Sequence, residues 1–263
     1  MKLKLVPARQ GIVWVRMGMR TFFKQPLALT GLFFMFMAAM SVLSIVPVLG
    51  SGIALALLPA ATLGLMVATE EANKGKFPMP VVLISAFRAG RQQLRSMVIL
   101  GVLYALGFAL IMGLSTLVDD GQFARLYLGG EVNPEQLKQS DFELAALTAM
   151  ALYLPLSLMF WHAPALVHWH GISPVKSLFF SLVACLRNFW AYALFGLTWM
   201  AAFLAVGVVV AIIAAVAGSP AVINAILLPV GLSMAAMFFT SIYFTFIDTF
   251  DLTPGEPDDA AHP

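Results

Sequence analysis

The chain has 263 residues, of which 61% are hydrophobic and only 11% charged. Soluble domains carry roughly a quarter charged residues, and a water-facing surface this poor in charge would leave large apolar patches; lipid removes that conflict. A formal net charge of +2 excludes bulk attraction to nucleic acid. The composition therefore predicts an all-α, polytopic transmembrane helix bundle.

The first 26 residues hold Lys2, Lys4, Arg9, Arg16, Arg20 and Lys24 and no acid. On a helical wheel Arg9, Arg16, Arg20 and Lys24 form one narrow stripe, while Ile12, Trp14, Val15 and Phe22 cover much of the remainder. A helix of this kind is predicted to lie in the headgroup layer with its cations toward anionic lipid. The same charges also suit a plain positive-inside flank, and the sequence leaves both readings open.

The apolar run Leu27–Val46 is as long as a full span of about 20 residues requires. It exceeds a signal-peptide core and is expected to stay in the membrane as an anchor. Five more runs follow, near Gly50–Thr69, Met97–Val118, Leu144–Val167, Tyr192–Ala217 and Ala221–Ile247. The uncharged stretches Pro47–Gly50 and Gly218–Pro220 read as tight hairpin turns.

Orientation follows from the cations. All but two of the 15 Lys and Arg residues fall in the N-terminal segment, the loop after the second run (Lys74, Lys76, Arg88, Arg91, Arg95) or the loop after the fourth (Lys176, Arg187). The exceptions, Arg125 and Lys138, lie in a loop rich in acids, from Asp119 to Glu143. Both termini and the basic loops are thus expected in the cytoplasm of a bacterial inner membrane, with the acidic loop in the periplasm.

Internal symmetry is visible as well. Pro59, Gly75, Pro78, Ser85 and Arg91 match Pro155, Gly171, Pro174, Ser181 and Arg187, each pair being 96 positions apart. The matched residues are helix punctuation. One transmembrane domain over 1–251 is expected, built from three two-span repeats (about 9–70, 78–167 and 174–247), each led by an interfacial basic helix. Arg88, Arg91 and Arg95 would form the cationic stripe of the second copy, and Lys176 and Arg187 that of the third. Such symmetry is common in transporters and equally in duplicated bundles. Residues 252–263 read as a disordered acidic tail.

The most conspicuous candidates for chemistry are His162, His168 and His170, framed by Trp161 and Trp169. Three imidazoles could ligate zinc, but His168 and His170 are about 200° apart on a helix and could converge only if the helix ends there, as Gly171 and Pro174 suggest. No HExxH or nearby carboxylate base accompanies them, and Trp and His are common at membrane interfaces. The lone Cys185 reads as a small apolar filler. The span centres hold no Asp, Glu, Lys or Arg, which argues against a proton pump or voltage sensor. Asn224 is expected to bond a neighbouring helix. Pro59, Pro155 and Pro229 are expected to kink their spans. No nucleotide-binding loop or catalytic triad spacing is present, so no cofactor and no enzyme activity are expected.

The stretches QPLALTGLFF (Gln25–Phe34) and HAPALVHWHGISPVKSLFFSLVACLRN (His162–Asn188) resemble an uncharacterised family of six-span inner-membrane proteins of Gram-negative bacteria, similar in layout to the YciC-like membrane proteins. The resemblance implies an all-helical membrane fold and carries no assigned activity. Two function classes stand: transport or lipid handling of a neutral or lipidic substrate, with anionic lipid of the cytoplasmic leaflet as partner, or a non-catalytic scaffold or accessory subunit of an envelope complex. Reporters fused after Asp120 or near Gly130 should read periplasmic, and those at Lys76, Ser177 and the C-terminus cytoplasmic; a cytoplasmic signal near Gly130 would overturn the six-span topology.

Overall fold

The computed structural model describes residues 2–46, 49–130, 140–217 and 220–250. The acidic tail, the loop from 131 to 139, the turn at 218–219 and the Asn224 side chain, all of which entered the sequence reading, lie outside the described residues.

The elements, in order, are α1 (Gln10–Phe22), α2 (Pro26–Ser44), α3 (Gly50–Asn73), a 3₁₀ segment (Pro80–Ile84), α4 (Ser85–Arg88), α5 (Arg91–Asp119), α6 (Gln122–Tyr127), α7 (Ser140–His170), α8 (Pro174–Arg187), α9 (Phe189–Ala217) and α10 (Pro220–Thr249). Six of them, α2, α3, α5, α7, α9 and α10, are long and apolar enough to cross a membrane. The fold is an all-α polytopic bundle, as the composition requires. Its exposed surface confirms the solvent it is built for: Leu204 on α9 is 64% exposed and Val216 84%, positions that water would penalise and lipid does not.

By contacts the chain divides into two compact units. The first comprises Met1–Phe36, Thr62–Ser85 and Val183–Pro263. Its centre is the packing of α1 against α9 and α10. This docking depends on two glycines seven residues apart. A Cβ at Gly11 would collide with the backbone of Ala191 and Phe195 on α9, and one at Gly18 with Ser241 on α10. Small residues at that spacing let helix backbones approach closely. Between them Trp14 is fully buried, its ring 5.1 Å from that of Tyr192 and 6.2 Å from that of Phe195.

The polar ends of this interface converge on one carboxylate. Asp248 accepts hydrogen bonds from the Gln10 side-chain amide (2.6 Å) and the Trp14 indole N–H (2.8 Å). Around it the N-terminal segment is tied down: Asn188 accepts from the Val6 amide and donates to the Lys4 carbonyl, while the Lys4 amide donates to the Thr249 carbonyl. At its other end, the Lys24 ammonium donates to the carbonyl of Asn73, the last residue of α3 (3.1 Å), where a cation also complements the helix dipole.

The second unit comprises Met37–Ala61 and Ala86–Leu182 and is dominated by α5 against α7. The Tyr104 ring meets Phe160 edge-on at 5.0 Å, and its hydroxyl lies 3.1 Å from that of Tyr153. Where α5 ends, the buried Asp119 carboxylate accepts from the Gly121 and Phe123 amides and caps the turn into α6. Asp119, read from sequence as a flanking charge, is thus a structural cap.

Helix α7 contains both Pro155 and Pro164, the second of which the sequence reading passed over. Between them the Ser181 hydroxyl of α8 accepts from the His162 amide (2.9 Å) and donates to the Leu158 carbonyl (2.7 Å), which ties α8 to the backbone of α7.

Asp248→Ala should leave the Gln10 and Trp14 donors without their acceptor and destabilise the folded protein by about 1–3 kcal/mol, read as unfolding in detergent. Asp248→Asn keeps a carbonyl acceptor and should cost measurably less. Equal losses in the two variants would mean that the hydrogen bonds do not hold α1.

Candidate cationic and lipid-facing site

The structure sorts the nine cations of the sequence stripes into three situations. Arg9, Arg16 and Arg20 are exposed on the outer face of α1, and among the described residues no carboxylate pairs with any of them. Lys24 is drawn instead onto the end of α3. The second copy departs from expectation: Arg88 ends α4 while Arg91 and Arg95 open α5, so the three do not share one helix face. The physical reason is Gly90, whose φ of +110° breaks the helix between them. In the third copy α8 is continuous, with Lys176 near its start and Arg187 at its end, both exposed.

The apolar side of α1 also differs from expectation. Trp14 and Phe22, off the cationic stripe of a helix expected at the headgroup layer, are 0% and 2% exposed and packed inside the protein. The apolar groups that α1 turns outward beside its arginines are Ile12 and Phe23. The outer face is therefore a mixture of guanidinium and hydrocarbon. Helix α8 presents the same mixture, with Val175 and Phe179 exposed beside Lys176.

Among the described residues, grooves are formed within each unit. One, of about 460 Å³, runs between α1 and α9 and is lined by Ile12, Val15, Arg16, Met19, Arg20, Phe23, Thr198 and Ala202. A second, of about 620 Å³, is walled by Phe22, Leu27, Gly31 and Phe34 on one side and by Pro229, Leu232 and Ser233 on the other. Its lining is almost wholly hydrocarbon, with Thr30 and Ser233 its only hydroxyls. Pro229 lies inside α10 at this groove. Pro59 and Pro155 lie inside α3 and α7. The third groove, about 440 Å³, lies at the α5–α6 corner beside Asp120 and Arg125.

The histidines are not brought together. Helix α7 runs unbroken through His168 to His170 and ends only there, at Gly171 with φ of +62°. The rings therefore keep their wide angular separation. Among the described residues no group of three or more His, Cys, Asp and Glu is placed to hold a metal ion. Cys185 is buried in α8, and burial pushes its thiol up from an ordinary 9.0 to about 12.

These features define a multi-pass membrane protein in which α1 and α8 each carry exposed cations beside exposed hydrocarbon. The chain is 38% identical over 262 residues to a probable inner membrane protein of Burkholderia thailandensis, the match covering 98% of this chain and 97% of that one. It belongs to an uncharacterised family of multi-pass inner-membrane proteins of Gram-negative bacteria. No family model matches the chain and no solved structure matches it.

The thiol offers a check on the packing of α8. Its folded pKa is raised, so its contribution to stability is present in full below pH 9.0 and is lost as pH rises toward about 12. Alkylation of the folded protein should be slow and should still accelerate above pH 9.0, where an ordinary thiol levels off. Rapid labelling near neutrality would show that Cys185 is not enclosed.

Proposed function

We propose that the protein handles lipid in the inner membrane, engaging anionic phospholipid through the helix ends expected at the cytoplasmic face. The observation that supports this most directly is the outer face of α1, where Arg9, Arg16 and Arg20 stand exposed beside hydrocarbon. A helix whose only duty were to set topology needs cations, but has no need of apolar troughs opening beside them. Each such cation near an anionic surface is worth about 1 kcal/mol. The hydrocarbon-lined groove at Pro229 adds a place where an acyl chain is accommodated without desolvating a polar group. The absence of charge from the span centres suits a neutral or lipidic substrate rather than an ion.

The test uses the full-length protein in vesicles carrying a fluorescent phospholipid in both leaflets. A membrane-impermeant reductant should bleach past the outer-leaflet fraction seen in protein-free vesicles, and lipid retained by the purified protein should be enriched in anionic species. If bleaching stops at the protein-free level and the retained lipid mirrors the bulk, lipid handling fails, and the scaffold reading takes its place.

A further inference from the structure

The trough between α1 and α9 sets exposed cations at the edge of an apolar groove. Arg16 and Arg20 are one helical turn apart on its rim, both exposed and neither paired with a carboxylate among the described residues. Its walls are Ile12, Met19 and Phe23 on one side and Thr198 and Ala202 on the other. Thr198 donates its hydroxyl proton to the Leu194 carbonyl (2.7 Å), so its hydrogen-bonding capacity is turned back into α9. Beneath the trough α1 cannot shift, because Gly11 and Gly18 seat it directly on α9 and α10. The result is a preformed slot with two cations at the mouth and hydrocarbon along the floor.

We propose that this trough binds one anionic glycerophospholipid, with Arg16 and Arg20 on its phosphate and Met19, Phe23 and Ala202 along the first part of an acyl chain. Guanidinium groups suit this because their planar donors match phosphate oxygens in pairs. Charge complementarity selects the headgroup, and the apolar walls select a lipid over free phosphate, which would leave the floor bare. The proposal rests on the lipid-handling reading and names its ligand and its place.

It is tested on the full-length protein in nanodiscs of phosphatidylcholine doped with phosphatidylglycerol bearing a photoactivatable group near the carboxyl end of one acyl chain. On irradiation the label should fall on α9 around Thr198 and Ala202. Replacing Arg16 and Arg20 with Gln should reduce labelling there by roughly 10- to 30-fold, as two cations acting independently imply. The R16K/R20K variant, which keeps the charge but not the paired donors, should fall between the glutamine variant and the unsubstituted protein. Ala202→Trp, which fills the trough and leaves the arginines in place, should abolish it even if the glutamine variant folds poorly. Equal labelling of α9 by a phosphatidylcholine probe would overturn the site as a mere lipid-facing surface. Selective labelling near Arg91 and Arg95 instead would overturn the trough yet leave lipid handling standing; no anionic preference anywhere would end both.

Discussion

A single carboxylate at the end of the last span decides where the first helix sits. Asp248 draws in the Gln10 amide and the Trp14 indole, and each donor brings part of α1 with it. Once the indole is anchored, its ring fills the space between α1 and α9, and the two glycines allow the backbones to close on it. Hydrogen bonds to a charged acceptor are among the stronger ones in a protein, at about 1.5–3 kcal/mol. They also fix the rotation of α1 about its own axis. Rotation is what matters, since it determines which residues look outward.

With that rotation set, the outward face of α1 contains the arginines and, between them, hydrocarbon that a purely interfacial helix would have turned down into lipid. Charge and apolar surface are usually separated on an amphipathic helix. Here the apolar side is divided: one part, Trp14, Val15 and Phe22, serves protein packing, and another, Ile12 and Phe23, is left outside. The mixture on α8, where Val175 and Phe179 flank Lys176, repeats the arrangement in the third copy. The second copy does not, because Gly90 breaks what would have been its helix and Arg91 and Arg95 are absorbed into α5.

The spans were legible in the sequence because the membrane imposes a length that no soluble fold requires, and runs such as Leu27–Val46 meet it without ambiguity. The docking of α1 was not. A helical wheel shows that Trp14 and Phe22 are apolar, but hydrocarbon looks the same whether its partner is a lipid tail or another helix. Asp248 reads as an ordinary flanking acid until the residues 234 and 238 positions away that approach it are known. The stripe of Arg88, Arg91 and Arg95 requires an unbroken helix, and the residue that breaks it, Gly90, is a single glycine whose positive φ composition does not reveal. In the same way Ser181 reads as one more polar residue of its helix, while the backbone groups it bonds, the His162 amide and the Leu158 carbonyl, lie on another. What the sequence hides is consistently of one kind: the partner of a residue, where that partner is remote.

The remoteness of those partners bears on how the chain reaches its final form. The N-terminal segment and α1 are joined to Asn188, Asp248 and Thr249, so α1 packs against helices that follow it by about 170 residues or more. Its binding face, with Trp14, Gly11 and Gly18, has no partner until α9 and α10 have been made. During that interval the apolar side of α1 has only the bilayer surface to shelter it, which is the posture its amphipathic sequence describes. The interfacial character written into the sequence thus suits α1 before α9 and α10 are in place, and the docked position suits it afterwards. A chain truncated before α10 would keep α1 permanently in the earlier of the two.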